Sequence, residues 1–337
     1  MIKHVHFVTA LVCAGALATC SAQPEPMSRQ AEAINMPIQR CMNLSGALEA
    51  PTEGLWGYTV RFEDIDRLAA AGFDTVRLPV KWSAYAAADA PYTLDQAMLL
   101  RTEAIIDYAL AQGLKIILDV HHYDELNTDP DAHEARLVGI WRQLAEYYQG
   151  YPDELIFELI NEPHSKMTLA RVDALNTRLL AEVRATHPDR WVILGTGQWG
   201  TLDGLLKSQP SVDDRTILSV HYYEPFGFTH QGAFFVDPPL PTGQAWGDEA
   251  DRKSVLKDLG SAAAFANRIG APVLLGEFGV YEEVPMHARA AWTAHTRRTA
   301  ESLNMGWCHW GFATTFKTYD QSNEQWLAPI KDALIER

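Results

Sequence analysis

Positive charge is scarce in this chain: 28 Lys and Arg face 43 Asp and Glu, a formal net charge of -15 over 337 residues. So acidic a surface repels phosphate backbones and anionic headgroups, which argues against a nucleic-acid or anionic-membrane partner. A neutral polymer meets no such repulsion. Cysteine is scarcer still. Cys13, Cys20, Cys41 and Cys308 fall at no metal-site spacing, and neither a metal nor another cofactor is expected. The apolar run from Val5 to Ala18 is too short to span a bilayer. Internal repeats, low-complexity tracts and interior linkers are missing, and no motif implies a protein partner. What the chain has in plenty is flat aromatic surface, with 10 Trp and 12 Tyr, although core packing must claim most of it.

The first residues read as an export signal: Lys3 and the free amine precede the Val5–Ala18 run, which ends in small residues. Residues 1–22 are therefore a signal peptide or lipoprotein signal, 23–37 a flexible leader, and 38–337 the folded domain. Leu17-Ala18-Thr19-Cys20 resembles a lipobox, which would leave a lipid anchor on Cys20; Thr19 is unusual there, and ordinary cleavage after Ala22 is the alternative. Either way export is expected, as a periplasmic or outer-membrane lipoprotein or in secreted form. Cys41 and Cys308 read most simply as free buried thiols. Export permits a bridge, and a closed barrel would bring its first and last strands together.

From residue 40 onward, short runs rich in Val, Ile and Leu alternate with segments of helical period. The strands read are Cys41–Leu44, Thr75–Leu78, Lys115–Val120, Ile156–Ile160, Trp191–Gly195, Thr216–His221, Val273–Glu277 and Gly306–Trp310. Helices are expected near Glu63–Ala71, Asp95–Gln112, Glu134–Gln149, Leu169–Thr186, Arg252–Ile269 and Met286–Leu303, with a shorter one after Thr201 and a last one over Glu324–Ile335. Near-continuous apolar strands, each followed by a helix, indicate a parallel sheet covered on its outside, and eight is the number that closes a TIM barrel. The alternative, a doubly wound open sheet, usually carries a Gly-rich turn after its first strand; Asn43-Leu44-Ser45-Gly46 is not one.

Polar residues recur where these strands end: Arg77, His121-His122, Asn161-Glu162, His221 with Tyr223, Glu277 and Trp310. In a (β/α)8 barrel those ends converge on one face. Two carboxylates stand out. Glu162 follows an apolar strand and is cut off by Pro163; Glu277 follows Val273-Leu274-Leu275-Gly276. A carboxylate at the end of a buried strand is costly to ionise unless paired. Opposed carboxyls roughly 5 Å apart are what a retaining glycosidase needs, one as nucleophile and one as acid/base. Arg77 and Tyr223 beside Glu277 would favour its ionised form, whose charge would hold the proton on Glu162. Glu158 lies deeper and reads as a structural polar residue of the bore.

Ile156-Phe157-Glu158-Leu159-Ile160-Asn161-Glu162-Pro163 and the strand-seven Glu277 make the chain resemble glycoside hydrolase family 5. The resemblance implies Glu162 as acid/base and Glu277 as nucleophile, supported by Arg77, His121, Asn161, His221, Tyr223 and Trp310. Asn161 would hold a sugar 2-hydroxyl and Trp310 would lie under the reacting sugar. His121-His122-Tyr123-Asp124-Glu125-Leu126, His221 to Phe226, Phe228 to Ala233 and Ala47 to Pro51 resemble a narrower branch, subfamily 25, of endoglucanases with added mannanase activity. On that pattern Glu49, His122, Trp199 and His230 would line the glycone side of the cleft, with Phe235 standing where a Trp is expected. Gly46 and Gly311 replace polar residues of the branch.

The expected activity is thus endo-acting hydrolysis of a β-1,4-glycan, glucan first, with mannan, glucomannan or mixed-linkage glucan as the alternative. A glycan-binding barrel without activity would be favoured by loss of either glutamate, and both are present. A metal hydrolase built on His121, His122 and His221 is disfavoured, because adjacent strand residues point to opposite sides. Pro238, Pro239, Pro241 and several aromatics mark Glu224 to about Ala250 as a long structureless loop walling the cleft.

Overall fold

The computed structural model describes Met1 and residues 35–336. The signal, Cys20 and most of the leader lie outside the described residues. Eight strands, β1 Arg40–Asn43, β2 Thr75–Val80, β3 Lys115–Val120, β4 Leu155–Glu158, β5 Val192–Leu194, β6 Thr216–His221, β7 Val273–Phe278 and β8 Trp307–His309, close into a parallel barrel in chain order. Around it run α1 Phe62–Ala71, α2 Gln96–Ala111, α3 Asp124–Thr128, α4 Pro130–Tyr147, α5 Leu169–Arg184, α6 Leu202–Lys207, α7 Phe226–Thr229, α8 Glu249–Ile269, α9 Met286–Ser302 and α10 Ala328–Leu334.

Local chemistry sets the helix ends. The Asp95 side chain caps α2 by accepting from Met98 N at 2.9 Å, and Asp248 and Asp251 cap α8 reciprocally. Gly72 and Gly270 end α1 and α8 in the left-handed conformation that glycine adopts without a Cβ penalty. The expected Glu324–Ile335 helix is shorter, because the chain first makes a small antiparallel pair, β9 Tyr319–Asp320 with β10 Gln325–Trp326. Helix α10 then starts beside Pro329, which lacks the N–H a first turn cannot use. The Glu224–Ala250 segment is not structureless. It carries α7 and is stapled by buried Gln231, whose amide donates to Phe228 O and Gln244 O and accepts from Gly243 N and Gln244 N.

The strands are buried on both faces, which explains their unbroken apolar sequence. Their outer side chains join the helices in one large apolar cluster. The inner ones form a second: Cys41, Ile117, Ile156, Ile193, Ile217, Leu274 and Cys308 meet in the bore above Met36, Ile38 and Trp191. Cys41 and Cys308 are direct partners in the β1–β8 ladder and are joined by a disulfide. This corrects the free-thiol reading: the parallel register brings their Cα atoms to 4.1 Å, within about the reach of a bridge.

Two residues further along each strand, the alternation of a strand puts Asn43, Arg77, Asp119, Glu158 and Ser219 on the same inner side. An apolar floor therefore carries a charged layer, and that layer carries the site.

Candidate active site

Arg77 organises the charged layer. Its guanidinium reaches Glu158 at 2.6 and 3.0 Å, Asp119 at 3.1 Å, Asn43 Oδ1 at 2.9 Å, Glu277 Oε1 at 2.9 Å and Asn161 Oδ1 at 2.7 Å. All of these groups are buried, so the fork is held without competition from water. Asn161 spends its oxygen on Arg77, which leaves its Nδ2 to donate to His121 Nε2 at 3.2 Å. His121 must then donate from Nδ1 to Asp119 Oδ2, 2.5 Å away. Burial keeps His121 neutral, its pKa well below the usual range. Trp310 stacks on His121 with ring centres 5.5 Å apart and planes 6° from parallel.

Glu277 reaches this set through an irregularity. Regular alternation from inward-facing Leu274 would turn Glu277 outward, toward the helices. The β6–β7 register instead steps from Val220 opposite Leu275 to His221 opposite Glu277, leaving Gly276 as an extra residue. The bulge brings Glu277 into the bore and sends Phe278 out against Trp292 and Trp307. Tyr223 then donates to Glu277 Oε2 at 3.0 Å.

Regular pairing of β4 ends at Glu158, four residues short of Glu162. The backbone stays in register beyond it, Leu159 N donating to Ile193 O and Asn161 N to Val120 O. Glu162 Oε1 lies 2.6 Å from His221 Nδ1, which is 3.6 Å from Glu277 Oε2. The Glu162 side chain is 29% exposed and that of Glu277 6%. A carboxylate oxygen of each and a ring nitrogen of His221 all lie within 4.8 Å of one another. These three are the donor set that could meet a metal ion among the described residues, and each is already engaged by Arg77, Tyr223 or the other members.

Burial pushes Glu162 and Glu277 each up to about 7. Glu277 is drawn back down by His221, Arg77 and the Tyr223 hydroxyl; Glu162 by Arg77 and His164. Asp119 is pushed up to about 6 by burial, with Arg77 opposing. With Glu158, four carboxylates crowd one guanidinium, so the cluster retains protons that free carboxylates would have lost. Glu277, with an ion pair and a phenol donor, is the better stabilised anion. Glu162, whose side-chain partner is His221 rather than a guanidinium, is the better proton holder.

Residues 39–314 match the cellulase (glycosyl hydrolase family 5) model. The chain belongs to glycosyl hydrolase family 5. Among family relatives, it is similar to Endoglucanase H of Acetivibrio thermocellus, 33% identical over 250 residues that cover 74% of this chain and 27% of that protein. The chain thus spans about a quarter of that curated relative's length. A hyperthermophilic endo-β-1,4-glucanase solved in complex with substrate superposes with a TM-score of 0.87 at 36% identity, over 89% of this chain and 97% of that one. Cel5A from Thermotoga maritima, solved in complex with mannotriose, gives 0.87 at 34% identity, over 88% and 97%.

The outer residues expected from the family 5 branch divide. Glu49 is 1% exposed and turns its carboxylate onto the backbone N–H groups of Gly46 and Ala47, where it shapes its own loop. His122 does not point away from His121: a φ of +38° swings its ring edge-on to that of His121, centres 4.5 Å apart. The opposite-sides argument therefore fails, since both residues lie past the end of β3. Trp199 is 53% exposed and stacks on His164, 4.6 Å away, whose Nδ1 donates to Glu162 O. This puts Trp199 beside Glu162. His230, 7% exposed, stacks on Phe226 and meets Tyr223 edge-on; Phe235, 48% exposed, packs on Tyr281 and His230. Gly46 and Gly311 have no room for a side chain: a Cβ at Gly46 would meet Thr314 Oγ1 at 2.6 Å, and Ser45 Oγ fills the space at Gly311.

Sequence reasoning missed Asn43 and Asp119. Asn43 accepts from Arg77 and donates to Gly276 O and His309 O, tying β1 to the bulge. The available signal was parity: Asp119 stands two residues before His121, on the same side of its strand.

Proposed function

We propose that this family 5 chain is a retaining endo-β-1,4-glucanase with Glu277 as nucleophile and Glu162 as acid/base. The observation that carries the reading is the separation of the two carboxylates, oxygen to oxygen within 4.8 Å. That is close to the ~5 Å gap of retaining enzymes and too short for the intervening water of an inverting one, which needs roughly 6.5 Å or more.

In the first step a Glu277 oxygen attacks the anomeric carbon while Glu162 gives its proton to the glycosidic oxygen, and the leaving chain departs with that proton. Arg77 and Tyr223 hold Glu277 ionised and aimed until then. Trp310, flat against His121, supports the reacting ring, and Asn161 stands beside it for the 2-hydroxyl. In the second step Glu162, now a carboxylate, takes a proton from water as its oxygen bonds to the anomeric carbon. The bond to Glu277 breaks and both residues return to their starting forms.

Mannan or glucomannan is the second reading, supported by the mannotriose complex of the similar Thermotoga maritima enzyme. A mannan ring differs by an axial 2-hydroxyl, which one hydrogen bond can accept or reject. Export as a lipoprotein or secreted enzyme is proposed on the signal-like N-terminus. The Cys41–Cys308 bond supports it, because disulfides persist in oxidising compartments.

The test is reducing-end release from carboxymethylcellulose, barley β-glucan, glucomannan and galactomannan by wild type, Glu162→Gln and Glu277→Gln. Activity that collapses in both variants, with β-configured first products by NMR, is expected. Inert wild-type protein, inversion, or full activity in either variant would each overturn the assignment it addresses.

A further inference from the structure

The loop between β1 and α1 is built to hold two large apolar side chains out in solvent. Glu53 clamps its base, accepting from Val60 N at 3.0 Å and pairing with Arg101 on α2 at 2.7 and 2.9 Å. Gly54 N bonds Tyr58 O and Gly57 N bonds Gly54 O, with Gly54 and Gly57 both at positive φ. Tyr58, fully buried, anchors the far side, and Gln321 Nε2 donates to Gly57 O. At the tip of this fixed turn Leu55 is 64% exposed and Trp56 48%. A hydrogen-bonded loop that holds a Trp and a Leu side by side in water leaves apolar surface that a ligand can cover.

The tip is continuous with the cleft. The Trp56 indole meets the His122 ring 5.9 Å away, edge to face; His122 meets His121 at 4.5 Å; His121 stacks on Trp310. His122 is kept neutral by burial and can donate to or accept from a hydroxyl. The run of rings thus leads from the reacting centre outward over the β1–β3 side, and the tip residues Gly54-Leu55-Trp56-Gly57 carry no charge. A pyranose offers an apolar C–H face to an aromatic ring and hydroxyls at its edge.

We propose that the Leu55–Trp56 tip is a platform for a sugar ring of the substrate chain lying beyond the ring seated at Trp310, and that it sets the preference for long over short chains. The inference rests on the β-glycan reading above.

The experiment compares Trp56→Ala and Trp56→Phe with wild type on cellohexaose, carboxymethylcellulose and the shortest β-1,4-oligosaccharide that the wild type cleaves. Retardation in native gels containing hydroxyethylcellulose gives a readout apart from turnover. Trp56→Ala should lose about five- to tenfold in kcat/KM on the long substrates, through KM, by loss of one ring contact. The short substrate should be unaffected, gel retardation should weaken, and Trp56→Phe should recover most of both. An unmoved long-to-short ratio in active enzyme overturns the platform, as does a uniform loss on every substrate. Wild-type protein inert on all β-glucans takes down the underlying reading and this inference together. A dimer in sedimentation that Trp56→Ala dissolves, with the ratio unmoved, assigns the tip to a second copy of the chain and overturns the proposal.

Discussion

A Cβ added at Gly276 would stand 2.3 Å from Ser219 Oγ, so the residue that turns Glu277 into the bore has no room for a side chain. Its other near neighbour is His221 Nε2, at 3.2 Å. Gly276→Ala must turn the Ser219 hydroxyl away and press on the His221 ring or the bulge. We expect it to destabilise by about 1–3 kcal/mol and to cut kcat roughly 100-fold, by displacing Glu277 and His221. Urea melts and turnover of a soluble β-glucan check this; wild-type turnover in Gly276→Ala would show that the bulge does not position Glu277.

The mechanism proposed above needs Glu277 ionised and Glu162 protonated in the working form. With both pushed up to about 7, and each resisting the other's charge, they titrate as a pair that keeps one proton into the neutral range. Raising the pH further removes the acid's proton. The kcat/KM of the enzyme on a neutral polymer should therefore fall on the alkaline side with an apparent pKa near 7. An alkaline limb two units higher would mean that the proton donor is another group.

The same burial has a stability consequence. The Glu162 pKa is about 7 in the fold and close to 4.3 in an unfolded chain. Between those values the native state binds more protons, so its stability falls as pH rises from roughly 4.3 to 7 and stays low above. Gln carries no charge to desolvate. Glu162→Gln should be more stable than wild type at pH 8, by roughly 1 kcal/mol after allowing for the partial exposure of the side chain, and equal to it at pH 4. Thermal melts at the two pH values decide; an advantage at pH 4 alone would reverse the sign of the argument.

Asp119 Oδ2 serves both Arg77 and His121, and through His121 it fixes Asn161. Asp119→Asn keeps the shape but removes the charge and one acceptor. A loss of about 10- to 100-fold in kcat, with KM little changed, is expected from a group that positions without touching substrate. If instead KM alone moves, the relay through His121 is not what the aspartate provides.

Replacing both Cys41 and Cys308 by Ser should cost roughly 2–5 kcal/mol, because the bridge closes a very long loop. The kcat at 25 °C should hold, since the bridge lies in the apolar floor below the charged layer. Two reactive thiols in the unfolded, unreduced protein expressed with export would contradict the bond.

The barrel was legible because its strands are buried on both faces and so stand out as apolar runs; β3 and β6 have the bounds expected from sequence. The two glutamates were legible because each interrupts or ends such a run. What sequence hides is register. Nothing in Val273-Leu274-Leu275-Gly276 announces that Gly276 is an extra residue, and simple alternation would have turned Glu277 outward. The Cys41–Cys308 pairing is likewise a fact of closure between strands 267 residues apart. Glu49 shows a different gap: its backbone partners, Gly46 N and Ala47 N, follow from the shape of the loop and could not be read from the residue order.

The bond between Cys41 and Cys308 also makes the polypeptide between them a covalent ring. A single proteolytic nick within it, in the exposed Pro238–Gln244 stretch for example, would leave one molecule rather than two fragments. For a chain exported as proposed, that separates being cut from being taken apart: dismantling needs a second cut or a reductant.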